Sequence, residues 1–280
     1  MKIAISAEST ADLTKELLEE YQIHTIPFNV LLGEEERKDG TFDPKEIFEY
    51  VQKTKVLPKT SAINEFSYTE YFTNLLNEYD AVVHLSLSSS LSSSCQNAKN
   101  AASKLSNVYV IDSQSLSTGI GLLAIYASRL AQKDISAAEI AKAVSDRVPN
   151  VQASFVLERL DYLYKGGRCS ALSLFGANLL KIRPQIVVKD GKMGAGKKYR
   201  GTIERCVEEY CKDTIAEFDN PDLYAAFVTY TTATPAMIES AKKALKERGF
   251  KNIYETTAGG TISSHCGEHT LGILYINDAK

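Results

Sequence analysis

The groups in this chain best suited to chemistry are hydroxyls gathered in loops. From Leu85 to Ala98 the sequence reads LSLSSSLSSSCQNA, with seven serines and no charge. Hydroxyls and backbone N–H groups on one loop donate to the same oxygens, and a helix N-terminus behind them adds partial positive charge. Such a loop seats a carboxylate or a phosphate; a serine-rich linker is the other reading of the same composition. A second hydroxyl-rich loop runs from Asp112 through Ser113, Ser115, Ser117 and Thr118 to Gly121, and Thr60 and Ser61 stand just after Pro58. At Thr60 and Ser61, capping of the next helix is the ordinary role.

Nucleophilic and phosphate-binding signatures are weaker. No G-x-S-x-G elbow occurs, although Ser92, a histidine and Asp112 remain a triad in principle, because triads are defined by geometry and not by order. His265 sits in a polar, glycine-rich stretch, 259–267, and suits chemistry better than His24 and His84, which fall in strand patterns; His269 reads equally as a solvated loop residue. Gly191 to Lys198 resembles a P-loop but has Lys198 where the Mg²⁺-binding hydroxyl belongs, and no helix starts there. Gly119-Ile120-Gly121 lacks the rest of a dinucleotide fingerprint. The five cysteines form no C-x-x-C pair, so they read as reduced thiols and no metal is expected.

The elements that must position these groups follow from periodicity. Apolar runs predict strands over 2–7, 23–32, 81–85, 108–111, 151–157, 223–230, 253–256 and 271–276. Helices are expected after the cap candidates at 9–12, after Asp43-Pro44, over 68–76, behind the serine loop, over 122–130, 136–148, 160–180, 202–218 and 235–248. Asp190-Gly191 marks a hairpin turn. In open α/β sheets the loops at the carboxyl ends of strands line the ligand crevice, so the three hydroxyl-bearing loops are expected to converge there. Alternation of strands and helices points to α/β architecture: an N-terminal α/β/α domain with a parallel sheet, 1–150, and a C-terminal α/β domain with a mixed sheet, 151–280.

Composition narrows the classes further. With 44% hydrophobic and 24% charged residues the chain can bury a real core. A net charge of −3 argues against non-specific nucleic-acid binding, leaving Lys165-Gly166-Gly167-Arg168 and Lys197-Lys198-Tyr199-Arg200 as local basic runs, solvated or facing an anion. No signal-peptide h-region and no stretch near the ~18 residues of a membrane span is visible, so a cytoplasmic protein without stable membrane insertion is expected.

Several of these pieces together resemble the DegV family of bacterial fatty-acid-binding proteins. They are Thr60-Ser61, Ser88 to Ser92 with Gln96 and Ala98, Val110 to Ser113 with Ser117, Gly119 and Gly121, the Lys165 to Arg168 run, Ile182 with Pro184, and His265 with Gly267, Leu271 and Gly272. The resemblance implies two α/β domains and a long acyl chain, such as palmitate, buried between or beneath them. It implies that Thr60 and Ser92 hydrogen-bond the carboxylate with His265 and Arg200 near the head group, and Ser61, Ser93 and Ser117 in support. It further implies a non-catalytic subunit, without ATP or other cofactor, that presents the fatty acid to a separate ATP-dependent kinase for acyl-phosphate formation. The alternative is a serine acyl hydrolase or transferase using Ser92 with His265. The chain departs from the family pattern at Ala62-Ile63, Ser93, Cys95 and Glu268-His269; Ser93 is expected to restrict close backbone approach, and Glu268 to place an acid near an anion site.

Overall fold

The computed structural model describes residues 1–169 and 182–279 of the 280-residue chain. Its first half builds a parallel sheet from the most apolar runs. β1 (Ile3–Glu8) leads through a 3₁₀ turn (Ser9–Ala11) to α1 (Lys15–Glu20) and β2 (Ile23–Ile26). The chain then leaves that sheet: β3 (Asn29–Leu32), β4 (Glu35–Lys38), α2 (Lys45–Thr54) and β5 (Lys59–Ser61) form a small antiparallel sheet, order β4-β3-β5, with its helix. It returns through α3 (Glu65–Leu76), β6 (Ala81–Ser86), α4 (Ser94–Ala102), β7 (Val108–Asp112), α5 (Thr118–Ala131) and α6 (Ala137–Arg147). The order β2-β1-β6-β7 is parallel throughout, with Ile5 between Ile23 and Val83. β6 is buried along its whole length, as a strand covered on both faces must be.

The second sheet begins with β8 (Val151–Val156). It is followed by α7 (Asp161–Gly166), β9 (Arg183–Lys189), β10 (Lys192–Tyr199), α8 (Ile203–Glu217), β11 (Ala225–Tyr230), α9 (Pro235–Arg248), β12 (Asn252–Thr257), α10 (Gly260–Cys266) and β13 (Leu271–Ile276). The order β10-β9-β8-β13-β11-β12 is mixed, with only β11 and β12 parallel. α5, apolar nearly all round, lies between the two sheets and packs on β1, β6, β11 and β13, the place for a helix with no solvent face. One hydrophobic core therefore runs through both halves, while α8 and α9 close a second core over the outer face of the mixed sheet.

α9 and β13 fall where periodicity places them, and Asp190 (φ +50) with Gly191 (φ +77) makes the expected hairpin turn. Elsewhere the structure corrects the sequence. The run 23–32 is two strands of two sheets, broken at Pro27, which has no N–H for a ladder. β4 hides in the charged segment 33–40 because it is an edge strand wet on both faces. Thr60 and Ser61 are not caps: they lie in β5, and α3 is capped by Asn64, whose Oδ1 accepts the Ser67 N–H at 2.8 Å. Thr14, not residues 9–12, caps α1. The stretch 259–267 is the helix α10, whose Gly, Ser and Thr residues carry little intrinsic helix preference. Of the helix expected over 160–180, α7 is present and 170–181 lie outside the described residues.

Candidate fatty-acid site

A cavity of about 340 Å³ opens where the serine loop after β6, strand β5 and helices α7 and α10 meet. Its volume lies within the ~300–1,000 Å³ of small-molecule sites. Thr60, Ser92, Ser93, Arg168 and His265 supply its polar groups; Phe28, Leu87, Leu91, Leu116, Leu163, Met193 and Ile262 supply apolar wall. Ser93 and Arg168 are exposed while Leu87 and Cys266 are buried, so the polar end faces solvent. A narrow apolar pocket of about 30 Å³ adjoins it, sharing Leu116, Ile262 and Cys266 and continuing along Ala258, Phe155 and Leu274.

Each polar side chain is set by local structure. Ser92 precedes α4; its Oγ accepts the Ser94 N–H at 3.2 Å and donates to Ser94 Oγ at 3.2 Å. Ser94 Oγ in turn accepts the Ile63 N–H at 3.1 Å, tying the end of β5 to the serine loop. Thr60, on β5, meets His265, in the last turn of α10: Thr60 Oγ1 and His265 Nε2 are 2.9 Å apart. His265 reaches Thr60 past Gly166, where an added Cβ would lie 2.5 Å from His265 Nδ1. Gly167 then turns the chain in the left-handed conformation (φ +70), ending α7 and returning Arg168 to the cavity, with its Nη1 donating to the Gly166 carbonyl at 2.6 Å.

The electrostatics favour a neutral imidazole beside a cation. Burial pushes the His265 pKa down to about 4, and the Arg168 guanidinium adds to the effect. His265 Nδ1 is buried and has no hydrogen-bond partner among the described residues. With Nε2 carrying the proton, His265 donates to Thr60 Oγ1 and leaves the threonine hydroxyl free to donate into the cavity. Thr60 and Arg168 then offer donors to an anion without a full buried charge, and Ser92 joins them if its hydroxyl turns from Ser94 Oγ into the cavity.

Thr60, Ser92, Ser93 and His265 are thus brought together, while three expected residues are not. Ser61 pairs with Asn29 in the small sheet and does not line the cavity. Ser117 lines the narrow adjoining pocket and not the polar end, and its hydroxyl is on Asp12 Oδ2 at 2.5 Å, so the loop 112–121 contributes Leu116 to the main cavity wall and not its hydroxyls. Arg200 is exposed past the end of β10 and does not line the cavity; Arg168 supplies the cation there. Most of the serine run is structural as well: Ser86 donates to Glu8 Oε1 at 2.6 Å and Ser88 to the Gly191 carbonyl at 2.7 Å. Ser93 has right-handed backbone (φ −73, ψ −5), so no glycine-like freedom is needed at that position. Cys95 is buried, its thiol pushed up to about 11 by burial with Asp112 next, and Glu268 is not part of the cavity wall. Arg168 was legible only as part of a basic run; the Gly-Gly before it was the signal that the run turns back.

Known proteins share this fold. The family model for DegV, described as an uncharacterised protein family, matches residues 2–278. A curated relative from Thermotoga maritima, a fatty acid-binding protein, is 32% identical over 225 residues, covering 76% of this chain and 78% of its own. The solved structure of a DegV family protein from Thermus thermophilus, reported for fatty acid binding, superposes with a TM-score of 0.91 at 26% identity, covering 99% of this chain and 100% of that one. The structure of DegV from Bacillus subtilis, a fatty acid binding protein, gives a TM-score of 0.87 at 27% identity over 99% of this chain and 100% of that one. The chain belongs to the DegV family.

Proposed function

We propose that this chain binds a long-chain fatty acid, with the carboxylate at the polar end of the cavity and the acyl chain running past Leu116, Ile262 and Cys266. The observation that carries this reading is the order of surfaces across two adjoining cavities that share Leu116, Ile262 and Cys266: hydroxyls, a neutral imidazole and a guanidinium at the solvent end, apolar walls behind. A chain of ~14 methylenes buried at ~0.8 kcal/mol each gains on the order of 10 kcal/mol before the cost of immobilisation, so the head group needs to orient more than to hold. Thr60, Ser92 and His265 form the carboxylate set, with Arg168 in the place expected of Arg200. Relatives described as fatty acid-binding proteins support the ligand class. An exposed carboxylate edge suits presentation to a separate ATP-dependent kinase that forms the acyl phosphate, with no turnover by this chain.

The geometry supports a carrier over a serine hydrolase. Ser92 Oγ bonds to Ser94, His265 Nε2 bonds to Thr60, and no carboxylate orients His265 Nδ1 among the described residues. Denaturing extraction of the purified protein followed by mass spectrometry tests the ligand: an acyl chain is expected, and the absence of both a co-purified chain and any binding on titration with palmitate would end the proposal. Labelling of Ser92 by a fluorophosphonate probe would instead revive the hydrolase.

A further inference from the structure

The geometry points to Asp12 and Asp39 as positioning residues for the carboxylate site: together they hold the N-terminus of α10 on the first half of the chain and so set where His265 meets Thr60. α10 begins without a side-chain cap of its own, at Gly259. Its first N–H groups, which no helix can satisfy internally, are taken instead by carboxylates more than two hundred residues earlier. Asp39 Oδ1 accepts the Gly260 N–H at 2.6 Å, and Oδ2 accepts the Thr261 N–H and the Ser9 hydroxyl, each at 3.1 Å. Asp12 Oδ1 accepts the Gly259 N–H at 2.8 Å while its Oδ2 takes the Ser117 hydroxyl. Both acids are nearly sealed from solvent, at 5% and 4% exposure, so neither is a casual surface contact.

The same short helix carries Thr261, Ile262, His265 and Cys266, all of them cavity wall. A shift of its N-terminus therefore moves the imidazole and the wall together. Asp12 holds left-handed backbone (φ +51, ψ +31) and Ser117 has positive φ as well (φ +51, ψ −143), conformations unfavourable for non-glycine residues that only a surrounding structure sustains. The two acids act differently. Asp39 has three donors. Asp12 has two, and burial pushes its pKa up to about 8 against them, with the Asp39 charge adding to the rise. The titratable groups that face Asp12 are Asp39 and the Cys266 thiol, itself pushed up to about 12 by burial and then by Asp12. Above that pH a second negative charge enters beside Asp39 while the Ser117 and Gly259 donors bind the ionised Asp12 more strongly, so the pull of the clamp on α10 changes.

The proposal rests on the fatty-acid reading, and its test separates the two. Palmitate affinity is measured by titration calorimetry for the wild type, Asp39→Asn and Gly260→Ala, each also in a His265→Ala background; Gly260→Ala drives a Cβ to within 2.7 Å of the Phe42 ring and 3.2 Å of Asp39 Oδ1 and removes neither carboxylate. Each single change is expected to weaken binding at least tenfold, and less than twofold further once His265 is gone. Equal losses in both backgrounds would make the acids general stabilisers and overturn the proposal. The ¹⁵N resonances of the His265 imidazole are followed in parallel without ligand. They are expected to move in Asp39→Asn and, in the wild type, as pH passes through about 8, where His265 itself does not titrate. Unmoved resonances in the wild-type titration overturn the proposal whether or not the variants fold or palmitate binds, whereas moved resonances with no palmitate binding sink only the fatty-acid reading.

Discussion

Glu8 and Asp12 are two buried acids at the end of the same strand and the turn that follows it, and they take opposite protonation states. Glu8 accepts from Ser86 Oγ and the Leu87 N–H at 2.6 Å each, from Thr10 Oγ1 at 3.3 Å and from the Tyr68 hydroxyl, with His84 Nε2 3.9 Å from Oε1. Burial alone would raise its pKa, but His84, Ser86 and Tyr68 outweigh burial and hold it below the usual glutamate range. Asp12 has only Ser117 and Gly259 to set against burial, and the neighbouring charge of Asp39 has the wrong sign. Burial is common to both; the number of donors and the sign of the nearest charge decide which acid keeps its proton.

The widest test of this contrast removes each acid. Glu8→Ala leaves Tyr68, Ser86 and His84 facing an empty space, and a loss of ~3–5 kcal/mol is expected, the range for breaking a buried charged network. Asp12→Asn, replacing an acid that is protonated at neutral pH, is expected to stay within ~1 kcal/mol of wild type at pH 7, judged by the same net worth of a hydrogen bond. Urea denaturation of both variants decides it, and equal losses would erase the distinction.

The next effect is in pH. Asp12 is protonated in the folded state up to about 8 but ionises near 3.8 when unfolded, so stability falls as pH rises through that window. His265 works the other way: held at about 4 when folded against 6.5 unfolded, it makes stability rise between those values. The two slopes oppose each other below 6.5, and from there to pH 8 Asp12 acts alone, for a fall of ~2 kcal/mol at 1.36 kcal/mol per pKa unit. Denaturation at pH 6.5 and 8 should show that fall in the wild type and a flat profile in Asp12→Asn.

Smaller changes sharpen the same contrast at the ligand end of α10. Gly166→Ala pushes a methyl group against His265 and is expected to cost about tenfold in palmitate affinity, ~1.4 kcal/mol, with little change in the denaturation midpoint. Ser92→Ala removes one donor of several at a solvent-facing edge, and a two- to threefold loss in the same titration is expected, ~0.5–1 kcal/mol for one hydrogen bond. A larger loss at Ser92 than at Gly166 would shift the weight of the site from α10 to the serine loop.

Local signals carried much of this protein. Leu271–Ile276 is a buried strand because it is continuously apolar; Pro235–Arg248 is a helix because Thr234, Pro235 and Gly249 punctuate it; and both are legible without any neighbour. Thr60, Ser92 and His265 were legible as a set only through the ordered family resemblance, since hydroxyls in loops have capping and turn roles that look identical in sequence. What the tertiary structure alone decided is the partner of each polar group. Ser117 gives its hydroxyl to Asp12, 105 residues away, and not to the polar end of the cavity; Arg168, not Arg200, reaches the cavity; and acids from the first half of the chain take the first N–H groups of α10. Periodicity records which side of an element avoids water, so it yields elements and their buried faces. A hydrogen bond or a shifted pKa depends on distances across the fold, and those exist only once both halves have packed around α5.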